Sequence, residues 1–305
     1  MATVLDKTRL ADLMTPARAS DRWLHQETWA ASRAGIQKEE KGLMAHYFAH
    51  HDFLLQEGAN PATEPRRETA ASILVNQGTG PNFVVDESLK WIEEHAQTGP
   101  FHITWYSPGA LVPATLHDFR QRNPDLSAAT HVHLFPGTVD IQLQAQIGAE
   151  AQAYAKGITR QFSYVILSGH SFDLRTGHVK FHFDREIPIQ RTCALLKATE
   201  KFLFFDSGKF MGEGEVGYSL RDLLSTSNAV VIYTVSSSRS DEIKAAFHRL
   251  SGDLLTEAAS ETDFKEPKSL RLTIVGRENM PSESLAHRGF LRSYAEEPAL
   301  GGTAT

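Results

Sequence analysis

The chain has 305 residues, of which 41% are hydrophobic and 22% charged, as expected for a soluble protein long enough to bury its own core. Its formal net charge of −6 argues against a dedicated nucleic-acid binder. Cys193 is the single cysteine, which excludes an internal disulfide framework and favours a cytoplasmic location. No apolar run approaches the ~18 residues that span a bilayer, and the opening MATVLDKTRL does not resemble a signal peptide, so no membrane contact is predicted.

Residues 1–60 are predicted to form a helical extension. Trp23, Trp29 and Ile36, then Leu43 and Tyr47, fall at helical spacing, and neither glycine nor proline interrupts residues 37–56. The aromatic residues of this segment need a partner surface, which favours self-association into a homo-oligomer. Residues 57–66, with one glycine and two prolines, are interpreted as a linker.

From residue 66 to residue 275, short apolar runs alternate with amphipathic stretches. The predicted strands are residues 83–85, 102–106, 131–135, 164–167, 202–205, 229–233 and 270–275. The predicted helices are one that ends at residues 73–74, then 89–97, 110–122, 147–156, 189–199 and 241–255. This alternation predicts an α/β fold with a mainly parallel sheet flanked by helices. Residues 276–305 lose the pattern and are predicted to be a flexible tail.

In an open parallel sheet, ligands bind beyond the carboxyl ends of the strands, so the residues after each predicted strand are candidates for a binding site. Those loops are Asp86–Ser88, Ser107–Gly109, Pro136–Thr138, Ser168–His170, Asp206–Lys209 and Thr234–Ser238. The sharpest is Asp206–Lys209, because a carboxylate, a hydroxyl, a glycine and an ammonium follow a run of four apolar residues. Such a loop can bind hydroxyl groups through Asp206 and an anion or a sugar oxygen through Lys209.

Residues 202–210, Phe-Leu-Phe-Phe-Asp-Ser-Gly-Lys-Phe, resemble the strand and the Asp-Ser-Ser-Lys-Phe motif of the effector-sensing domain of DeoR-type repressors. That domain belongs to the superfamily of ribose-5-phosphate isomerase, glucosamine-6-phosphate deaminase and the CoA transferases. Weaker similarities follow the family order over about two thirds of the chain. They are residues 67–74, Pro136-Gly137, Gly148, Tyr164–Asp173 with Gly177, Glu186 and Arg191.

The resemblance implies an α/β domain over residues 66–275 that binds a sugar or a sugar-phosphate-like ligand and needs no cofactor. It assigns the positive charge of the site to Lys209 and Arg191. The other residues implied in ligand binding are Asp86, Glu87, Ser88, Ser107, Gly109, Gly137 and Asp206.

Two departures from the family shape this expectation. The family's phosphate-binding turn corresponds to Asp86–Leu89 here, and two carboxylates repel a phosphate, which favours a neutral polyol, a cationic ligand or an anion seated elsewhere. Residues 1–60 do not match the family's winged helix-turn-helix, so the chain is expected to be a regulatory sensor without its own DNA-binding domain.

The alternative is an isomerase- or lyase-type enzyme acting on a sugar-like substrate, in which Asp86, Glu87, Glu186, Asp206 and Lys209 supply acid–base chemistry. A purely structural oligomer is a third hypothesis, which the polar strand-end loops disfavour. His46 and His50 are four residues apart and can share a helix face, but an interfacial pair is preferred to metal ligands. No metal is assigned, and Cys193 is interpreted as a core residue.

Overall fold

The computed structural model describes residues 24–53, 69–95, 101–210, 212–260 and 268–276. In these ranges the helices are α1 (Leu24–His51), α2 (Thr79–Glu94), α3 (Leu111–Arg122), α4 (Ala149–Gly157), α5 (Ile187–Ala194), α6 (Leu220–Ser225) and α7 (Ser240–Ser260). The first six strands are β1 (Thr69–Val75), β2 (Phe101–Ser107), β3 (Thr130–Leu134), β4 (Thr138–Asp140), β5 (Ala145–Ile147) and β6 (Phe162–Leu167). The others are β7 (Ser171–Asp173), β8 (His178–Phe181), β9 (Ala198–Phe204), β10 (Glu215–Ser219), β11 (Ser227–Val235) and β12 (Ser269–Val275).

The centre of the fold is a seven-stranded sheet in the order β12-β11-β9-β6-β1-β2-β3, and every neighbouring pair in it is parallel. The predicted α/β fold with a mainly parallel sheet is therefore confirmed. The strand order reverses between β1 and β6, because the chain first moves outward to β2 and β3 and then returns to the other side of β1. Two small antiparallel sheets, β10-β8-β7 and β4-β5, extend from the carboxyl end of the large sheet.

Both faces of the large sheet are covered by helices, so its central strands are apolar on both sides. Side chains from α1, α2 and α3 form the core on one face, and those from α4, α5, α6 and α7 form the core on the other. Consecutive residues of β1 point to opposite faces, so Ile73 and Val75 belong to the first core and Leu74 to the second.

Helix α1 is part of the first core. Phe48 is fully buried, and its ring packs edge-on against Phe202, Phe204 and Tyr233 of the sheet. The ring of Phe53 lies nearly parallel to that of Trp105 inside the chain. These aromatic residues have partners within the chain, so they lend no support to self-association, which stays a prediction. The predicted linker at residues 57–66 and the tail from residue 277 onward lie outside the described residues.

Two neighbouring predictions are wrong. Residues 69–75 are not a helix but strand β1, which pairs with β2 on one side and β6 on the other. Residues 83–85 are not a strand but part of helix α2, which carries Pro81 in its first turn, where a missing N–H is tolerated. The buried positions Val84, Val85, Leu89 and Ile92 recur at helical spacing.

The remaining predicted strands and helices are confirmed, most with their ends shifted by a few residues. The largest shift is at the predicted helix over residues 89–97, since α2 begins ten residues earlier, at Thr79. The predicted helix over residues 189–199 is shorter, since α5 ends at Ala194 and β9 begins at Ala198. No helix in the described ranges is long and apolar enough to cross a membrane.

Candidate functional site

A polar cleft of about 470 Å³ opens at the carboxyl ends of the strands, where the strand order reverses. The loop after β1, residues 76–78, forms one wall, and the loop after β6, residues 168–170, forms the facing wall. The backbone N–H of Asn76 donates to Ile166 O of β6 (2.9 Å), which joins these strands at the cleft floor. The reversal point of an open parallel sheet is where such folds bind ligands, because two loops diverge there and leave a crevice.

The first wall ends in a glycine turn and the start of helix α2. Gly78 precedes the helix with a φ of 127°, a conformation that favours glycine. Thr79 begins the helix and lines the cleft, and the first turn carries no acidic residue and no side-chain cap, so no side chain of that turn satisfies its free backbone N–H groups. Lys41 of α1 donates from Nζ to Thr79 Oγ1 (2.9 Å) and adds positive charge. This end of the cleft favours an anion.

The opposite wall carries titratable side chains. His170 and His182 line the cleft with ring centroids 5.1 Å apart. Burial lowers the pKa of His170, and the nearby His182 and Lys209 lower it further, against the opposing effect of Glu186. His170 is therefore neutral near pH 7 and able to accept a proton.

Glu186 is buried at the base of the cleft and held by amides. Its Oε2 accepts from Gln77 Nε2 (2.9 Å) and Gln190 Nε2 (3.4 Å), and Gln190 also hydrogen-bonds Asn76. These amides hold the Glu186 carboxylate in one orientation. The Asn, Gln and Ser side chains that line the cleft offer donors and acceptors that can hydrogen-bond the hydroxyl groups of a ligand.

Lys209, in the loop after β9, closes the cleft next to the loop after β6. It lies on a single 3-10 turn, Ser207–Lys209, and its Nζ donates to Gly169 O (2.7 Å) and Ser168 Oγ (3.4 Å). Burial lowers the pKa of Lys209 to about 8, and the carboxylate of Asp206 opposes that shift. Asp206 is fully buried, and its Oδ2 lies 3.9 Å from Lys209 Nζ. Neither of its carboxylate oxygens has a hydrogen-bond partner in the described structure.

The hairpin of β4 and β5 covers one edge of the cleft with residues 142–144. Arg185 tethers this hairpin, since its Nε donates to Asp140 Oδ2 (2.6 Å) and its guanidinium also donates to Gln142 Oε1 (2.6 Å). The pKa of Asp140 is lowered, mainly because its carboxylate accepts this hydrogen bond from Arg185. The tether joins the hairpin to the segment that carries Glu186.

Several residues that the sequence nominates come together here. Gly109, Glu186 and Lys209 line the cleft. Ser107 is buried behind Gly109 and accepts a hydrogen bond from its N–H (2.8 Å), so it shapes the loop. Asp206 is buried beneath Lys209.

The other nominated residues lie elsewhere in the described structure. Asp86, Glu87 and Ser88 are in the middle of α2 and not in a loop after a strand, because residues 83–85 are helical. Glu87 accepts from His46 Nδ1 of α1 (3.1 Å, assuming that tautomer) and pairs with Lys90, which also pairs with Asp86. Gly137 is exposed before β4, and Arg191 is exposed on α5; neither lines the cleft.

The misplacement of β1 hid one wall of the cleft. The turn that follows the first strand is Asn76–Thr79 and not Asp86–Leu89, so the expected repulsion of a phosphate rests on the wrong residues. The sequence carries a usable signal, because two glycines and a proline occur within six residues after the apolar run 73–75. His170 stands in a nominated loop to which the sequence assigns no histidine role, and Lys41 has no local signal that points to the cleft. Among the described residues, no group of three or more His, Cys, Asp or Glu side chains is placed to hold a metal ion.

No protein-family model matches this chain, and a comparison with curated proteins also finds no match. Among solved structures, the chain is similar to a monomeric glucosamine-6-phosphate deaminase at 10% identity and a TM-score of 0.32, over 79% of this chain and 94% of that one. It is also similar to a putative 6-phosphogluconolactonase from Neisseria gonorrhoeae at 12% identity and a TM-score of 0.37, over 77% and 95% of the two chains. A 6-phosphogluconolactonase from Shewanella baltica matches at 12% identity and a TM-score of 0.29, over 80% and 94%. Similarity this low carries no information on function, so the function is inferred from the residues of the cleft.

Proposed function

We propose that this chain is an enzyme that acts on a sugar phosphate or a similar phosphorylated, polyhydroxylated small molecule. Its reaction depends on a general base that takes up a proton from the substrate. The observation that carries the proposal is the cleft at the reversal point of the sheet. There a neutral histidine, a held carboxylate and the start of α2, whose first turn carries no acidic residue, line one space of about 470 Å³.

The anionic end of the ligand is assigned to the start of α2. Uncapped backbone N–H groups, the hydroxyl of Thr79 and the ammonium of Lys41 all lie on this side. Lys209 approaches from the other side of the β1–β6 crevice. A phosphate bound between them exchanges water for charge-assisted hydrogen bonds.

The reacting end is assigned to the wall of His170 and Glu186. His170 is the general base, because its pKa is lowered and its neutral form predominates at pH 7. Glu186, oriented by Gln77 and Gln190, either binds a hydroxyl or receives the proton in a later step. This places the chemistry on residues other than the Asp86 and Glu87 of the sequence-based acid–base set.

A regulatory sensor is the second candidate function, and one observation favours it. Adjacent residues of helix α1, Glu40 and Lys41, contact Ser207 and Thr79 at the two sides of the cleft. If a ligand displaces Thr79 or the turn of Ser207, helix α1 moves with it. A sensor needs this kind of coupling between its ligand site and another element.

One experiment separates these functions. A panel of pentose and hexose phosphates, with the free sugars as matched controls, is tested for thermal stabilisation and for consumption by phosphorus and proton NMR. The enzyme proposal predicts that phosphates stabilise more than free sugars and that at least one is consumed. Stabilisation without consumption supports the sensor, and equal stabilisation by free sugars contradicts the anionic end.

A further inference from the structure

We propose that helix α1 positions the elements that line the cleft, with Glu40 as a positioning residue that fixes the turn carrying Lys209. The inference deepens the proposed function, because it concerns the same cleft. It assigns a role to a segment that the sequence suggested only as an oligomerisation element.

The contact between Glu40 and the turn is double. Glu40 Oε2 accepts from the backbone N–H of Ser207 (2.8 Å), and Glu40 Oε1 accepts from Ser207 Oγ (2.7 Å). These residues are 167 positions apart in sequence, so the contact exists only in the folded chain. A carboxylate that accepts two such bonds is a charge-assisted clamp on the first residue of the turn.

The clamp matters because the turn has little else to define it. Ser207–Lys209 is a single 3-10 turn, which starts after the buried Asp206 and has no side-chain cap at its start. Its internal backbone bond runs from Lys209 N–H to Asp206 O (3.0 Å). Glu40 therefore holds the start of the turn, and the bonds from Lys209 Nζ to Gly169 O and Ser168 Oγ hold its end.

Lys41, the next residue of α1, supports the same interpretation. It donates to Thr79 at the other side of the cleft, and it is close enough to Asp206 for that carboxylate to oppose the lowering of the Lys41 pKa by burial. Asp206 thus lies near two lysines, one from α1 and one from the turn. Consecutive residues of a single helix set the two cationic sides of the cleft.

The position of Lys209 is measured by competitive labelling of lysines with acetic anhydride across a pH series, read by mass spectrometry. This reports the pKa and the access of each amine without any ligand, so its result is independent of the proposed function. In Glu40→Ala we expect Lys209 to become more accessible and its pKa to rise by about one unit or more toward its ordinary value near 10.4. Glu40→Gln keeps an oxygen acceptor for Ser207 and is expected to restore most of the wild-type profile.

Two further variants make the test specific. Asp52→Asn removes the negative charge that pairs with Arg271 (Oδ1 to Nη2, 2.7 Å) next to the end of α1 away from the turn, and it should leave the Lys209 profile unchanged. Ser207→Ala removes only the hydroxyl bond and should shift Lys209 part of the way, and it serves if Glu40→Ala fails to fold. A wild-type Lys209 profile in both Glu40→Ala and Ser207→Ala, or an equal shift in Asp52→Asn, overturns the proposal.

Discussion

Lys209 should make ligand binding in the cleft depend on pH. Its folded-state pKa of about 8 means that the ammonium is present below pH 8 and is lost as the pH rises through that value. Since a phosphate with a second pKa of about 6 is already a dianion there, the affinity for a sugar phosphate should fall above pH 8, by up to about tenfold per pH unit. Calorimetric titration from pH 7 to pH 9.5 checks this, and Lys209→Met should bind weakly with a flat profile. An equal decline in Lys209→Met would assign the pH dependence to another group.

Lys201 is a buried lysine with a structural task. Its Nζ donates to Ala194 O (2.7 Å) and Leu223 O (3.3 Å), near the carboxyl ends of α5 and α6, and also bonds Thr226. Lys201→Met removes the donor to the buried Ala194 O and leaves Leu223 O with its bonds from Thr226 and Ser227 alone. We therefore expect a loss of about 2 kcal/mol in the free energy of unfolding. Urea denaturation measures it, with Lys197→Met as the exposed control expected to change little. Similar values for the two variants would show that Lys201 does not hold these helix ends.

Sequence reasoning found single residues where local chemistry was distinctive. Lys209 and Asp206 follow an apolar strand in a pattern that needs no knowledge of the fold. Lys41 and Glu40 had no such signal, because their contacts join residues 38 and 167 positions apart. Asp86 and Glu87 are expected in the site because the sequence predicts a strand at residues 83–85; that segment is helical, and neither residue lines the cleft.

At the scale of elements, the loop after β6 depends on close packing at Gly169. A Cβ at this position would lie 2.4 Å from Val179 Cγ1 and 3.2 Å from Lys180 O, so the loop must move to admit it. Gly169→Ala should therefore displace His170. We expect its loss of turnover to be larger than its loss of folding stability can explain. Steady-state kinetics and thermal melts check this, with Gly157→Ala as a control, since no atom lies within 4 Å of a Cβ there. Unchanged kinetics in Gly169→Ala would argue against His170 as the base.

Helix α1 should behave as part of the core. Because Phe48 is fully buried against three aromatic rings, Phe48→Ala is expected to cost about 3–5 kcal/mol of unfolding free energy. Chemical denaturation measures the change. A cost below about 1 kcal/mol, the level of an ordinary surface substitution, would mean that the helix is only loosely docked.

The exchanged assignments at residues 69–75 and 83–85 show where element prediction failed. Both segments contain short apolar runs, which periodicity alone does not distinguish as strand or helix. Pairing with β2 and β6 made the first a strand, and a glycine-proline start made the second a helix. Long-range pairing overrode local preference.

At the scale of the whole molecule, alternation of apolar runs was enough to predict the α/β class. It was not enough to predict the order of strands, because that order depends on which edges pair across the fold. The reversal between β1 and β6 is the feature that places residues 76–79 opposite residues 168–170. The cleft was therefore predictable only as a set of loops, without its geometry.

The most direct test of the central claim compares wild type with His170→Gln on the sugar phosphates that stabilise the protein. We expect His170→Gln to keep the thermal stabilisation, because the anionic end of the cleft is untouched. Its turnover, followed by proton NMR in D₂O, should fall by about 100-fold or more, the range for loss of a general base. Equal turnover by the two proteins, or no reaction of any phosphorylated sugar with wild type, would contradict proton transfer by His170 in this cleft.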